Sequence, residues 1–170
     1  METDVALLRE TEIFRDLNEV QIKKILGISR KVSFPSGEVV MKEGDLGDTM
    51  YIILEGAVDV VKCLVMSDLD DEDAGGKNKV FTRLDAKDHA VFGEIALLEE
   101  LKRTATIRAV TDCLLYAIRK DDFLALAEED YELGYRILLN LSRIVSARLR
   151  RADDDTIKLT TALSLILKEP

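Results

Sequence analysis

Tryptophan is absent from the 170 residues of this chain, histidine occurs once, and there are two cysteines and two prolines. A single imidazole, His89, cannot supply a metal site built from several histidines, and no serine or cysteine nucleophile pairs with it as a base. Cys63 and Cys113 each lie in an apolar, strand-like stretch and read as buried, reduced thiols. No apolar run approaches the roughly 20 residues of a membrane helix. The first ten residues, METDVALLRE, are charged and helical in pattern, unlike a secretory signal. A cytoplasmic location is therefore expected. Basic excess is missing as well. The net charge of -9 argues against a nucleic-acid partner, which wants a basic face. Any anion bound here must be held by a local device rather than by the overall field.

What is present fits one folded domain with helical extensions. With 47% hydrophobic residues, a chain of this size buries a core without disulfides or metal. No internal repeat is visible. Residues 1–30 form an N-terminal helical segment. Leu17, Val20, Ile22, Ile25, Leu26 and Ile28 recur at helical spacing between Asp16 and Arg30, with Asn18 placed to cap. From Lys31 the period changes. Short alternating runs are punctuated by Pro35-Ser36-Gly37, Glu43-Gly44-Asp45 and Glu55-Gly56, a turn about every ten residues. That is the pattern of a sandwich or barrel over residues 31–119. The stretch Ser67 to Lys79 is acidic, then glycine-rich. It lacks the glycine and closing glutamate of a calcium loop, and reads as a solvated hairpin connection.

The helical period returns after residue 120. Tyr131 to Arg151 carries Leu133, Ile137, Leu138, Leu141, Ile144, Val145 and Leu149 at three- and four-residue steps. Two stripes result, broad enough to touch both a barrel and a second helix. Arg143, Arg148, Arg150 and Arg151 occupy the remaining surface near the expected helix end, where cations are favoured. Asp153-Asp154-Asp155 interrupts, so helices over 120–152 precede a short amphipathic tail over 153–170.

The informative stretch is FGEIALLEELKRTAT, residues 92–106. Gly93 permits a turn that other residues resist. Good helix formers follow, and the start of a helix offers unpaired N–H groups to an anion. Arg103, nine positions after Glu94, can grip phosphate oxygens with paired donors. Glu94 can only accept, which suits a ligand hydroxyl. Donors for a phosphate beside an acceptor for a hydroxyl describe a sugar phosphate. Taken alone, Glu94 and Arg103 also read as an ordinary surface pair.

The surrounding motifs favour the first reading. FGE-x-A-L-L followed by R-T-A-T resembles the phosphate-binding cassette of the cyclic nucleotide-binding domain family. Phe34-Pro35-Ser36-Gly37-Glu38, Glu43-Gly44-Asp45 and Tyr51-Ile52-Ile53-Leu54-Glu55-Gly56 match in order, so the resemblance covers roughly Ile13 to Arg151. It implies a mainly β fold with flanking helices: an eight-stranded β-roll, a short cassette helix and a long C-terminal helix. It implies cyclic AMP or cyclic GMP as ligand. Glu94 would accept from the ribose 2′-OH and Arg103 would pair with the cyclic phosphate. Phe92 and Gly93 would form the entry, and amides of Ile95, Ala96 and the neighbours of Arg103, including Ala105, would complete the seat. Thr104 occupies a position where a hydroxyl leaves both nucleotides open. Val60 and Leu84 would pack on the base, and Ala152 or Asp153 would lie near its edge.

The expected role is thus a sensor that couples ligand binding to movement of the C-terminal helix. It is not expected to be an enzyme and needs no cofactor beyond the ligand. A symmetric dimer through helix 131–151 and an unidentified downstream protein are the expected partners. The chain has no room for the winged helix-turn-helix of activator proteins, and reads as a stand-alone sensor or a piece of something larger. The alternative is a scaffold of the same shape that has lost its ligand.

Overall fold

The computed structural model describes residues 2–64, 77–99 and 101–167. The acidic loop expected over 67–79 lies mostly outside these residues, as does the Cys63 side chain. Helix α1 (Glu2–Glu10) is followed by a 3-10 turn at Glu12–Phe14 and by α2 (Glu19–Ile28). The cap expected at Asn18 is present. Its side chain accepts from the Gln21 amide while the Gln21 side chain accepts from the Asn18 amide, both at 3.0 Å, so two orphan donors of the first turn are satisfied.

Ten strands follow: β1 (Arg30–Phe34), β2 (Val39–Met41), β3 (Leu46–Gly47), β4 (Thr49–Glu55), β5 (Ala57–Leu64), β6 (Lys77–Asp85), β7 (Val91–Phe92), β8 (Leu101–Lys102), β9 (Thr106–Ala109) and β10 (Cys113–Arg119). They form two antiparallel sheets of four strands, ordered β1-β10-β4-β7 and β2-β9-β5-β6, with β3 and β8 as a separate short pair. The eight strands of the two large sheets make the expected roll.

The first sheet is covered on both faces, and its sequence says so. Met50 and Ile52 of β4 join Tyr116 and Ile118 of β10 in the cluster under the helices. Ile53 of β4, with Cys113 and Leu115 of β10, faces the other sheet beside Val58 and Ile107. A strand buried on both sides reads as a nearly continuous apolar run rather than an alternation.

Helix α3 (Lys120–Glu129) leads into α4 (Tyr131–Ile166), 36 residues long. Gly134 lets α4 pass close to α3, since a Cβ there would lie 2.7 Å from Ala127 Cβ. Asn140 is buried on α4. Its Nδ2 donates to the carbonyls of Ile13 and Arg15 at 3.3 and 2.8 Å, which ties the long helix to the first 3-10 turn. The break expected at Asp153-Asp154-Asp155 does not occur. Aspartate costs a helix only a few tenths of a kcal/mol per residue, and no glycine or proline lies between Gly134 and Pro170. Local bonds help: Thr156 Oγ1 donates to the Ala152 carbonyl at 2.8 Å and Lys158 pairs with Asp155 at 3.1 Å. Leu133, Ile137, Leu141 and Ile144 are buried, whereas all of residues 148–167 are exposed. Among the described residues no helix is long and apolar enough to cross a membrane.

Candidate functional site

A pocket of about 590 Å³ opens between the second sheet, the 92–105 segment and α4. That is the size of a small-molecule site. Its wall is a cross-strand row: Met41 neighbours Ile107, Ile107 neighbours Val60, and Val60 neighbours Thr82. Leu84 extends this apolar face. One side chain from each of four adjacent strands gives a broad, mostly apolar surface.

The floor is the Phe92–Ala96 segment. Gly93 takes a left-handed backbone, φ 70°, and caps a 3-10 turn at Glu94–Leu97. A Cβ at Gly93 would lie 2.8 Å from Arg103 Nη1 and 2.9 Å from the Thr49 carbonyl. Both the dihedral and the space therefore demand glycine. The Ala96 amide donates to the Gly93 carbonyl at 3.1 Å, so this donor already serves the turn.

Arg103 is positioned from several sides. Its amide donates to Asp45 O at 2.8 Å, and its carbonyl accepts from the Gly44 amide at 2.9 Å. The Glu43-Gly44-Asp45 turn thus holds its backbone. The guanidinium lies over Gly47, where any Cβ would overlap it. Nη2 donates to the Thr49 carbonyl at 2.7 Å. Among the described residues no carboxylate pairs with it. A cation aimed by neutral groups keeps its charge for an incoming anion. Nearby, Tyr51 stacks on Phe92 with ring centroids 5.2 Å apart, and burial pushes its phenol above the usual range.

Glu94 is not a surface partner of Arg103. It is 2% exposed and forms an ion pair with Arg148 of α4, whose side chain is 50% exposed. Arg148 Nη2 also reaches the Val91 carbonyl at 3.5 Å. The sequence pattern places Arg148 and Arg151 on the outer surface near a helix end. The helix instead runs on, and both line the pocket together with Asp155. The signal was the buried stripe itself: Ile137, Leu141 and Ile144 continue at helical spacing to Arg148, Arg151 and Asp155.

The other expected residues sort cleanly. Phe92, Gly93, Glu94, Ile95, Ala96, Arg103, Thr104 and Ala105 all line the pocket, as do Val60 and Leu84. Ala152 and Asp153 are exposed on α4 and are not part of its lining. At about 100° per residue, Asp153 points roughly 140° away from Arg148 around the helix, and Asp155 only about 20°. Among the described residues no cluster of histidine, cysteine, aspartate and glutamate could hold a metal ion.

A sequence model described as the cyclic nucleotide-binding domain matches residues 31–130. The chain belongs to the cyclic nucleotide-binding domain family. It is 30% identical over 118 residues to isozyme 2 of the cGMP-dependent protein kinase of Drosophila melanogaster, covering 69% of this chain and 9% of that protein. It is 27% identical over 146 residues to the cyclic AMP receptor protein of Thermus thermophilus, covering 86% of this chain and 61% of that one. The solved Thermus thermophilus catabolite activator protein superposes with a TM-score of 0.74 over 88% of this chain and 63% of its own, at 27% identity. The chain spans less than two thirds of the length of these relatives.

Proposed function

We propose that this chain is a cyclic-nucleotide sensor whose pocket is read by α4. The single observation that carries the proposal is the convergence of Arg103, Glu94 and Arg148. An arginine without a carboxylate partner among the described residues and a buried carboxylate face one pocket, and the carboxylate is held by the long helix.

The ligand is cyclic AMP or cyclic GMP. Arg103 pairs with the cyclic phosphate, assisted by the amides of Ile95 and of the residues beside Arg103. The ribose 2′-OH donates to Glu94 and so competes with, or joins, Arg148 there. Thr104 offers a hydroxyl next to the phosphate. The base packs on Val60 and Leu84. Because one member of the Glu94 pair belongs to α4, a ligand that alters this contact binds one position of the helix better than another. That differential affinity is what shifts a population. The role is regulatory rather than catalytic, with a protein partner downstream.

A second copy of the chain completes the unit. On α4, positions at alternating four- and three-residue steps run from Tyr131 through Leu138, Val145, Leu149 and Leu159 to Ile166, and every one is exposed. Such a seam is the spacing of a coiled coil, and a two-fold pair would bury it in both copies.

Calorimetric titration with each nucleotide tests the pocket. Micromolar or tighter binding is expected. Arg103→Ala should cost about 2–5 kcal/mol, from about thirtyfold in affinity upward. Nucleotide-free protein that gives no heat with either ligand would refute the sensor and leave a scaffold. Sedimentation tests the seam: Leu149→Glu should convert a dimer to a monomer, and a wild-type monomer at high concentration would refute the pairing.

A further inference from the structure

The exposed side of α4 specifies more than a seam. From Tyr131 to Ile166 its positions advance by alternating steps of four and three without a slip, and each one is exposed. In heptad terms Tyr131 and Leu138 begin the d series, and Tyr135, Ser142, Leu149, Thr156 and Leu163 are the a series. Two of the a residues are polar, and a polar residue at a specifies register and orientation. A parallel, unstaggered pair of chains puts Ser142 against Ser142 and Thr156 against Thr156. An antiparallel pair matches a with d. Over the same length of helix it would set Ser142 against Leu159 and Thr156 against Val145. The hydroxyls therefore favour the parallel arrangement.

Charge selects the same register. Ion pairs between helices form at the flanking g and e positions, and in a parallel pair each g residue faces the e residue five places further along its partner. Arg148 is a g residue, and the e residue five places on is Asp153. Two-fold symmetry makes this contact twice. The neighbouring g and e combinations, Gly134 with Leu139, Leu141 with Ser146 and Asp155 with Thr160, set no like charges together. Asp153 is exposed and lies outside the pocket of its own chain. Arg148 is free to receive it. A guanidinium has five donors. Here one reaches Glu94 and another the Val91 carbonyl at 3.5 Å, and the side chain is 50% exposed.

Resting on the nucleotide and pairing readings above, we propose that the partner's Asp153 binds Arg148 and shares it with Glu94, so that a residue of the second copy tunes the ribose acceptor of the pocket. A countercharge divided between two carboxylates holds Glu94 less tightly. Its oxygens are then more available to the 2′-OH, and the paired chain binds nucleotide more tightly than the single one.

Three measurements on the full chain test this. Ser142→Cys and Thr156→Cys, each oxidised in dilute solution, should form disulfide-linked dimers above the wild-type background. A dimer that neither variant cross-links is not parallel and in register, which overturns the proposal. Asp153→Asn removes two exposed ion pairs, so its dimer dissociation constant by sedimentation should rise about two- to thirtyfold; an unchanged constant overturns the contact. At concentrations where Asp153→Asn is still dimeric, titration with cyclic AMP and cyclic GMP should show at least threefold weaker binding than wild type. In the monomeric Leu149→Glu background the same substitution should leave the affinity unchanged. An effect of equal size in the monomer would be one of local charge and not of the partner, and overturns the assignment. If no form binds either nucleotide, the sensor reading and the tuning of the pocket both fail, while the cross-links and dimer constants still decide the Asp153–Arg148 contact.

Discussion

The ion pair between Glu94 and Arg148 predicts an asymmetry. The carboxylate is 2% exposed while the guanidinium is 50% exposed. Removing the arginine leaves a desolvated carboxylate with its main countercharge gone. For a fully buried pair that costs about 3–5 kcal/mol. Here the space left by Arg148 opens toward solvent, so water recovers part of the loss, and we expect about 2 kcal/mol for Arg148→Ala. Removing the carboxylate charge with Glu94→Gln costs less, because the half-exposed guanidinium rehydrates in place. The Gln side chain also still accepts one hydrogen bond.

Thermal and urea unfolding of the two single variants and the double variant measure these terms. At this chain length about 1 kcal/mol moves the midpoint by roughly 2–4 °C, so Arg148→Ala should melt about 4–8 °C below wild type. Glu94→Gln should fall by less than half of that. The double variant should be no worse than Arg148→Ala, because the charge left stranded in the single variant is gone. Equal losses for the two single variants, or a double variant showing their sum, would refute the reasoning: the pair would then not be coupled through a buried carboxylate.

Gly93→Ala should lose about 1–3 kcal/mol of stability, since its φ of 70° is strained for any other residue. It should also weaken nucleotide binding through the clash with Arg103, so wild-type affinity in a folded variant would contradict the geometry. Asp130 is held below the usual carboxylate range, first by the Lys24 ammonium at 2.6 Å and then by the Leu133 amide. A depressed folded-state value means that this contribution is present above the unfolded carboxylate pKa and is lost as pH falls through the folded one. Asp130→Asn keeps an acceptor for the amide but loses the charge. Its deficit in urea midpoint relative to wild type should be full at pH 6 and should shrink as pH drops below about 4. A deficit independent of pH would refute the linkage.

The β-roll was legible because turns and strands leave local marks. Gly37, Gly44 and Gly56 all take positive φ, each in a turn expected from sequence, and the apolar run of β4 announces a strand covered twice. Glu94 and Arg103 were legible for a different reason: a short segment brings them to one pocket, so nine residues of spacing sufficed. Arg148 was not. A cation on a helix reads as solvated unless one knows what packs beside it, and the strand and 3-10 turn that bring Val91 and Glu94 to Arg148 are distant in sequence. The acidic triplet misled in turn, because local propensity of a few tenths of a kcal/mol per residue is small against the continuity of a helix already nucleated by a packed first half.

That continuity matters for the proposed output. One face of α4 carries Arg148, Arg151 and Asp155 into the pocket, and an adjacent face, about 60–100° round the helix, carries the exposed Leu138, Val145 and Leu149 of the seam. A rigid helix cannot reposition one face without the other. If nucleotide binding alters the Glu94–Arg148 contact, it must alter pairing of the seam by the same factor by which pairing alters nucleotide affinity. The dimer dissociation constant should therefore change in saturating nucleotide, and the nucleotide affinity of the monomeric Leu149→Glu variant should differ from wild type by an equal factor per linked site. A coupling of about 1–3 kcal/mol, about 5- to 150-fold, is the ordinary size of such an effect. Identical nucleotide affinity in monomer and dimer would leave the pocket and the seam as independent features that share a helix, and the signal would then have to leave the domain by another surface.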